Sequence, residues 1–257
     1  MSLLEVQGLD KSFGGVVAAR GVTFAVEAGK LLAIIGPNGA GKSTIFNMIG
    51  GQLEPDGGRV MLAGQQITGL APRRIWRMGV GRTFQIAQTF VSMTVAENVQ
   101  MALISRNGRT LSWWPDAGGL YRDEAVALLE RVGLGSQTDR PCTELAYGDV
   151  KRVELAIALA GAPRLLLMDE PTAGMAPKER AQLMQLSVDI ARERNIGVLF
   201  TEHDMGAVFA HADDIIVLVR GEIIAAGRPE DVRGDARVRE VYLGGGVLAA
   251  QAGRAGR

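Results

Sequence analysis

The sequence predicts an α/β fold with a parallel-sheet core, an antiparallel β portion at the N-terminus and a helical block inserted midway. Three observations carry this. Leu31-Leu32-Ala33-Ile34-Ile35, Leu165-Leu166-Leu167-Met168 and Val198-Leu199-Phe200 are short unbroken apolar runs, as expected of strands buried on both faces. A helix-length segment, residues 177–194, separates the last two, which fits a right-handed crossover between parallel strands. Residues 72–161, between the first run and the second, follow helical rather than strand periodicity.

Element by element, Leu4, Val6 and Leu9, then Val22, Phe24 and Val26, alternate as half-buried strands joined at Gly14-Gly15. The apolar strand at 31–35 stops at Gly36 and a glycine-rich loop, and a helical pattern runs from Gly41 to about Ile49. Residues 57–64 read as a strand between turns. Pro72 suits the start of a helix reaching about Met78. Residues 95–104 and 150–159 are helical in pattern, and residues 121–132 place Ala125, Leu128, Leu129 and Val132 on one face. Residues 107–119 read as a loop carrying Trp113 and Trp114. Ile215–Val219 and Glu222–Ala226 flank Arg220-Gly221, a hairpin signal. The Gly- and Ala-rich end, 244–257, is expected to fray as a flexible tail. The expected organisation is one domain over 1–243 with a helical subdomain at about 86–161.

Composition narrows the function. The 257 residues carry 28 basic and 28 acidic side chains, a formal net charge of zero, which argues against a nucleic-acid partner. A lone cysteine, Cys142, excludes an internal disulfide or a Cys-based zinc site and fits a reducing compartment. Two histidines, His203 and His211, leave little for a histidine-rich metal site. The N-terminus lacks a signal-peptide pattern, and no run reaches the ~18 apolar residues of a membrane span, so a soluble intracellular chain is expected. Glycine is abundant, 34 residues, against a typical share of roughly 7%. It serves either tight turns or close backbone approach to a ligand, and composition leaves both open.

Two motifs bring chemistry. Gly36-Pro37-Asn38-Gly39-Ala40-Gly41-Lys42-Ser43 matches G-x-x-x-x-G-K-[ST], followed by Thr44 in the helix. Glycines let successive backbone N–H groups curl around phosphate oxygens, and the helix N-terminus adds partial positive charge. Lys42 suits the β- and γ-phosphates, and the Ser43 hydroxyl can ligate Mg²⁺. The spacing arises by accident in roughly 1% of chains this long, and here a buried strand precedes it and a helix follows. The second motif is Asp169-Glu170 at the end of a buried strand, the sheet edge where ligands bind. Asp169 can hold Mg²⁺ and Glu170 can polarise an attacking water.

With these residues quoted, the chain resembles the ATP-binding subunits of ABC transporters from residue 2 to about 243, and so the P-loop NTPases with a RecA-like parallel-sheet core. Four further segments occur in that family's order: Arg82-Thr83-Phe84-Gln85, Leu145-Ala146-Tyr147-Gly148-Asp149, Ala173-Gly174-Met175-Ala176 and Thr201-Glu202-His203-Asp204. The resemblance implies ATP and Mg²⁺ as cofactors. It implies Phe13 stacked on adenine, Gln85 sensing Mg²⁺ and the attacking water, and His203 on the γ-phosphate. It also implies that residues 145–149 complete the ATP site of a second ATPase subunit in a head-to-tail dimer. His211 matches no motif and is expected on the surface.

Two departures stand out. Ala146 occupies the usual signature serine, with Asp149 at its glutamine position, and Ala176 occupies the usual D-loop aspartate. The half-site that this chain offers its partner is expected to be weakened. The stretch 77–102, the tyrosine variant of the signature and Val241-Tyr242-Leu243-Gly244 are similar to the ATPases of branched-chain amino-acid importers. That branch implies a different ATPase chain as partner, two transmembrane permease subunits, a periplasmic solute-binding protein and a peripheral place on the cytoplasmic face of the inner membrane. Trp113 and Trp114 then face the membrane subunits or simply pack within their own loop. Alternatives are a urea or amide importer, a lipopolysaccharide exporter, a soluble non-transport ABC ATPase, or a subunit that hydrolyses poorly.

Overall fold

The computed structural model describes residues 2–83, 89–108 and 119–243. Gln85, the Trp113/Trp114 loop and the 244–257 tail lie outside the described residues. In chain order the elements are β1 (Ser2–Phe13), β2 (Val16–Glu27), β3 (Leu31–Ile35), α1 (Lys42–Ile49), β4 (Gly57–Leu62), β5 (Gln65–Gln66), α2 (Pro72–Arg77) and β6 (Val80–Thr83). Then follow α3 (Val95–Arg106), α4 (Arg122–Arg131), α5 (Tyr147–Ala160), β7 (Leu165–Asp169), α6 (Pro177–Glu193), β8 (Gly197–Thr201) and α7 (Met205–His211). The hairpin of β9 (Asp214–Val219) and β10 (Glu222–Gly227) precedes α8 (Pro229–Gly234) and α9 (Ala236–Leu243).

Two sheets result. An antiparallel one runs β2-β1-β4-β5, and a six-stranded one runs β10-β9-β3-β8-β7-β6. In the larger sheet every neighbouring pair is parallel except β9 with β10. The apolar runs explain the layering. In β3, Leu31, Ala33 and Ile35 face the helices, while Leu32 and Ile34 face the antiparallel sheet and α1. Leu166 and Met168 against Leu165 and Leu167, and Val198 and Phe200 against Leu199, repeat that division. A strand with both faces covered has no polar alternation to show, which is why these segments read as continuous runs.

Residues 72–161, expected to be mostly helical, also contribute a strand. β6 lies within them as the edge strand of the parallel sheet, paired from Val80 with Leu165 to Thr83 with Met168. Gly81 and Arg82 interrupt its apolar character, so pairing with β7 rather than local pattern makes it a strand. α5 begins at Tyr147, ahead of the 150 that periodicity marks and within the signature segment 145–149, which is expected to start a helix. α3 starts on a reciprocal capping box, Thr94 with Glu97, a device worth about 1 kcal/mol. It packs with α4 and α5 through Val95, Val99, Leu103, Ala125, Leu129 and Val153, all fully buried. Arg77, Arg106, Arg131 and Arg192 stand in the last turns of α2, α3, α4 and α6, where a cation offsets the partial negative charge of the helix end. Among the described residues no helix is long and apolar enough to cross a membrane.

Candidate active site

β3 ends in the loop that leads into α1, and the loop forms one wall of a cavity of about 390 Å³. Phe13, Val16, Asn38, Gly39, Ala40, Gly41, Lys42, Ser43, Thr44 and Glu170 are among its lining residues. Two glycines fix the loop by close approach. A Cβ on Gly36 would stand 2.1 Å from the Leu218 carbonyl oxygen, and one on Gly41 would stand 2.0 Å from that of Ala18. Gly41 also has φ 107, a conformation that disfavours any side chain. The Lys42 ammonium is buried and donates to the carbonyls of Gly36 (2.7 Å) and Pro37 (3.2 Å), so it is folded back across the loop. Burial pulls its pKa below the usual lysine value, and the nearby carboxylates of Glu170 and Asp169 oppose that shift. Phe13 ends β1 at the cavity rim and is 47% exposed, with the Lys11 ammonium 5.7 Å from its ring centre.

Glu170 reaches the cavity from just beyond the carboxyl end of β7, which lies beside that of β8 with Asp169 paired to Thr201. The Thr201 hydroxyl, fully buried, donates to Asp169 Oδ1 (2.8 Å) and accepts the backbone N–H of Glu170 (3.0 Å). Arg82, from β6, approaches Asp169 Oδ2 at 3.8 Å and donates to Asn47 and Gln52 at 2.8 Å each. Glu170 stands at φ 48, in the left-handed region, and its Oε1 lies 2.7 Å from His203 Nε2. The carboxylate is mostly shielded while His203 is half exposed. A carboxylate paired with an imidazole, beside a loop of N–H donors and an ammonium, can bind a polyphosphate and orient a water against it.

The structure thus brings together Phe13, residues 36–44, Asp169, Glu170 and His203. Residues 145–149 do not line this cavity. They form the start of α5, with Ala146 in extended conformation as N-cap and no side chain capping the helix. Tyr147 is exposed against Gly174, where a Cβ would stand 3.4 Å from its ring, and Asp149 accepts from Gln137 at 3.1 Å. His211, expected on the surface, is half-buried in the last turn of α7, and burial lowers its pKa. Thr201 and Arg82 anchor the acidic pair without a motif of their own. One polar residue at a strand end carries no signal until the register sets it opposite Asp169.

The donor set suits Mg²⁺. Ser43 and Asp169 offer hard oxygen ligands, and this ion is commonly held by one or two carboxylates together with substrate phosphates. Among the described residues no group of three or more His, Cys, Asp or Glu could hold a metal on its own.

Comparison with known proteins places this geometry. The ABC transporter family profile matches residues 19–173, and a profile described as branched-chain amino acid ATP-binding cassette transporter matches 222–247. The high-affinity branched-chain amino acid transport ATP-binding protein BraF of Pseudomonas aeruginosa is 40% identical over 94% of this chain and 98% of its own. A crystal structure of the ADP conformation of an ATP-binding cassette of an ABC transporter superposes with a TM-score of 0.85 at 34% identity, covering 95% of this chain and 99% of the other. A dimeric post-hydrolysis state of another cassette, bound to ADP and Pi, gives 0.75 at 26% identity over 88% and 98%. Similarity sustained from end to end of both chains, in sequence and in fold, makes this chain a member of the ATP-binding cassettes of ABC transporters.

Proposed function

We propose that the chain is the ATP-hydrolysing subunit of an importer of branched-chain amino acids or related small polar solutes. The observation that carries the reading is Glu170 Oε1 at 2.7 Å from His203 Nε2 on the wall of the phosphate-loop cavity. In this reading the backbone N–H groups of residues 38–43 and the Lys42 ammonium bind the triphosphate, and Phe13 stacks on adenine. Glu170 orients water for in-line attack on the γ-phosphate, and Lys42 and His203 meet the charge that develops there. Ser43 and Asp169 would hold Mg²⁺, which would supply further charge neutralisation, and Gln85, outside the described residues, is the family's sensor of the ion and the attacking water. Residues 145–149 complete the site of a second ATPase subunit, probed in trans, where Ala146 brings no hydroxyl. The working unit is one cassette over 1–243 with its helical subdomain at about 86–161. It joins two permease subunits at the cytoplasmic face of the membrane, with a solute-binding protein delivering cargo from the other side.

The relatives' names and the match at 222–247 support the cargo. Uptake by the complex reconstituted in vesicles tests it. ATP-driven uptake of leucine, isoleucine and valine is expected, and urea uptake in its place would move the chain to the amide branch. Recovery only with ribosomes or DNA would remove the transporter reading. For the nucleotide pocket, Phe13→Ala is expected to weaken ATP by about three- to tenfold, the value of one stacking contact. Inorganic triphosphate binding should not change. Equal losses for both ligands would show that Phe13 supports the loop rather than the base.

A further inference from the structure

Glu202 follows Thr201 at the end of β8, and none of the roles above uses it. It is 5% exposed. Its Oε1 accepts two hydrogen bonds from one residue, the Thr172 backbone N–H (3.0 Å) and the Thr172 hydroxyl (2.7 Å). Burial pushes its carboxyl above the usual range. The Thr172 donors, the His203 backbone N–H and the attraction of Arg180 act the other way. Thr172 lies in the turn that leaves β7, just beyond Glu170. The Ala173 N–H closes that turn onto the Glu170 carbonyl at 3.1 Å. The left-handed backbone of Glu170 persists only where its surroundings hold it. On its other side Glu202 adjoins His203. One buried carboxylate therefore fastens the turn that carries Glu170 to the strand end that carries His203. A second tie runs beside it, with Arg180 donating to Asp204 Oδ2 (3.0 Å) and to the Met175 carbonyl (3.3 Å).

We propose that Glu202 is a positioning residue for hydrolysis, holding the Glu170 turn through Thr172 in the register where Glu170 meets His203. The proposal rests on the reading of Glu170 as the hydrolytic carboxylate.

The test uses the chain assembled with its partner subunits, the partner cassette's own catalytic carboxylate replaced by an amide. Turnover, KM, nucleotide affinity and melting temperature are read on each preparation. Thr172→Val and Glu202→Ala are each expected to lower kcat by about tenfold or more, with KM and affinity within about threefold. The double variant should be no slower than the slower single one, because both remove the same link. Thr172→Ser and Glu202→Gln, which restore the hydroxyl and an acceptor oxygen, should return to within about threefold of wild type. Thr172→Val keeps the side-chain shape, so it reports even where Glu202→Ala fails to fold. Wild-type turnover in Thr172→Val, with Glu170→Gln inactive, overturns the clamp and leaves the hydrolytic reading standing. Multiplicative losses in the double variant, or affinity falling as far as kcat, also overturn it. Wild-type turnover in Glu170→Gln removes the hydrolytic reading, and this proposal with it.

Discussion

Glu170→Gln is expected to bind ATP at least as tightly as the native chain and to turn it over about a hundredfold or more slowly. The amide keeps the shape of the carboxylate, so the turn after β7 and its left-handed residue are undisturbed. It keeps an oxygen near His203 Nε2. What it loses is the negative charge and the basicity that orient a water for attack, a contribution of about 10²–10⁴ in rate for a positioned general base. Removing that charge also relieves the repulsion between Glu170 and an incoming triphosphate, so affinity should hold or improve. Titration with a fluorescent nucleotide and steady-state turnover, both on the assembled complex, separate the two effects. Near-native turnover would sink the assignment of Glu170.

Gly41→Ala should be the most damaging single methyl in the phosphate loop. The residue stands at φ 107, and its new Cβ would lie 2.0 Å from the Ala18 carbonyl oxygen in β2. Backbone, not a flexible side chain, occupies that space, so either the loop or β2 must move. Moving the loop strains the contact next to it, where the Gly221 N–H donates to the Ala40 carbonyl at 2.9 Å. Steric overlap with main chain together with a disfavoured φ costs about 3 kcal/mol or more. At this chain length that corresponds to a drop on the order of 10 °C in melting temperature. ATP binding should be lost in parallel, because the loop amides no longer converge. Calorimetry and nucleotide titration check both, and a variant melting within a degree or two of the native chain would contradict the account.

The buried strands and the phosphate loop were legible because each rests on local chemistry. Five apolar residues in a row at 31–35, ended by a glycine, fit a doubly covered strand, and the spacing from Gly36 to Ser43 suits a polyphosphate. What escaped was set by neighbours. Val80–Thr83 holds a glycine and an arginine and becomes a strand because β7 lies beside it. Periodicity alone begins α5 at 150, because Ala146 is not a capping residue type, and it is the signature segment 145–149 that marks the helix as starting there. Thr201 is one threonine among several until its hydroxyl is found between Asp169 and the Glu170 amide. The α8 and α9 region, residues 229–243, has Pro229 at a helix start and Asp235 bonding the first amides of α9, signals too short to separate from turns.

The bare start of α5 has a thermodynamic consequence. A side-chain cap there would add about 1 kcal/mol to the lone chain, and Ala146 forgoes it. The turn closes on itself through the Asp149 and Val150 N–H groups, which donate to the Ala146 carbonyl at 2.9 and 3.1 Å, and the amides ahead of them are left to an acceptor from outside. By linkage, any group that binds at that end adds its binding free energy to the stability of the turn, so the helix start is firmer in company than alone.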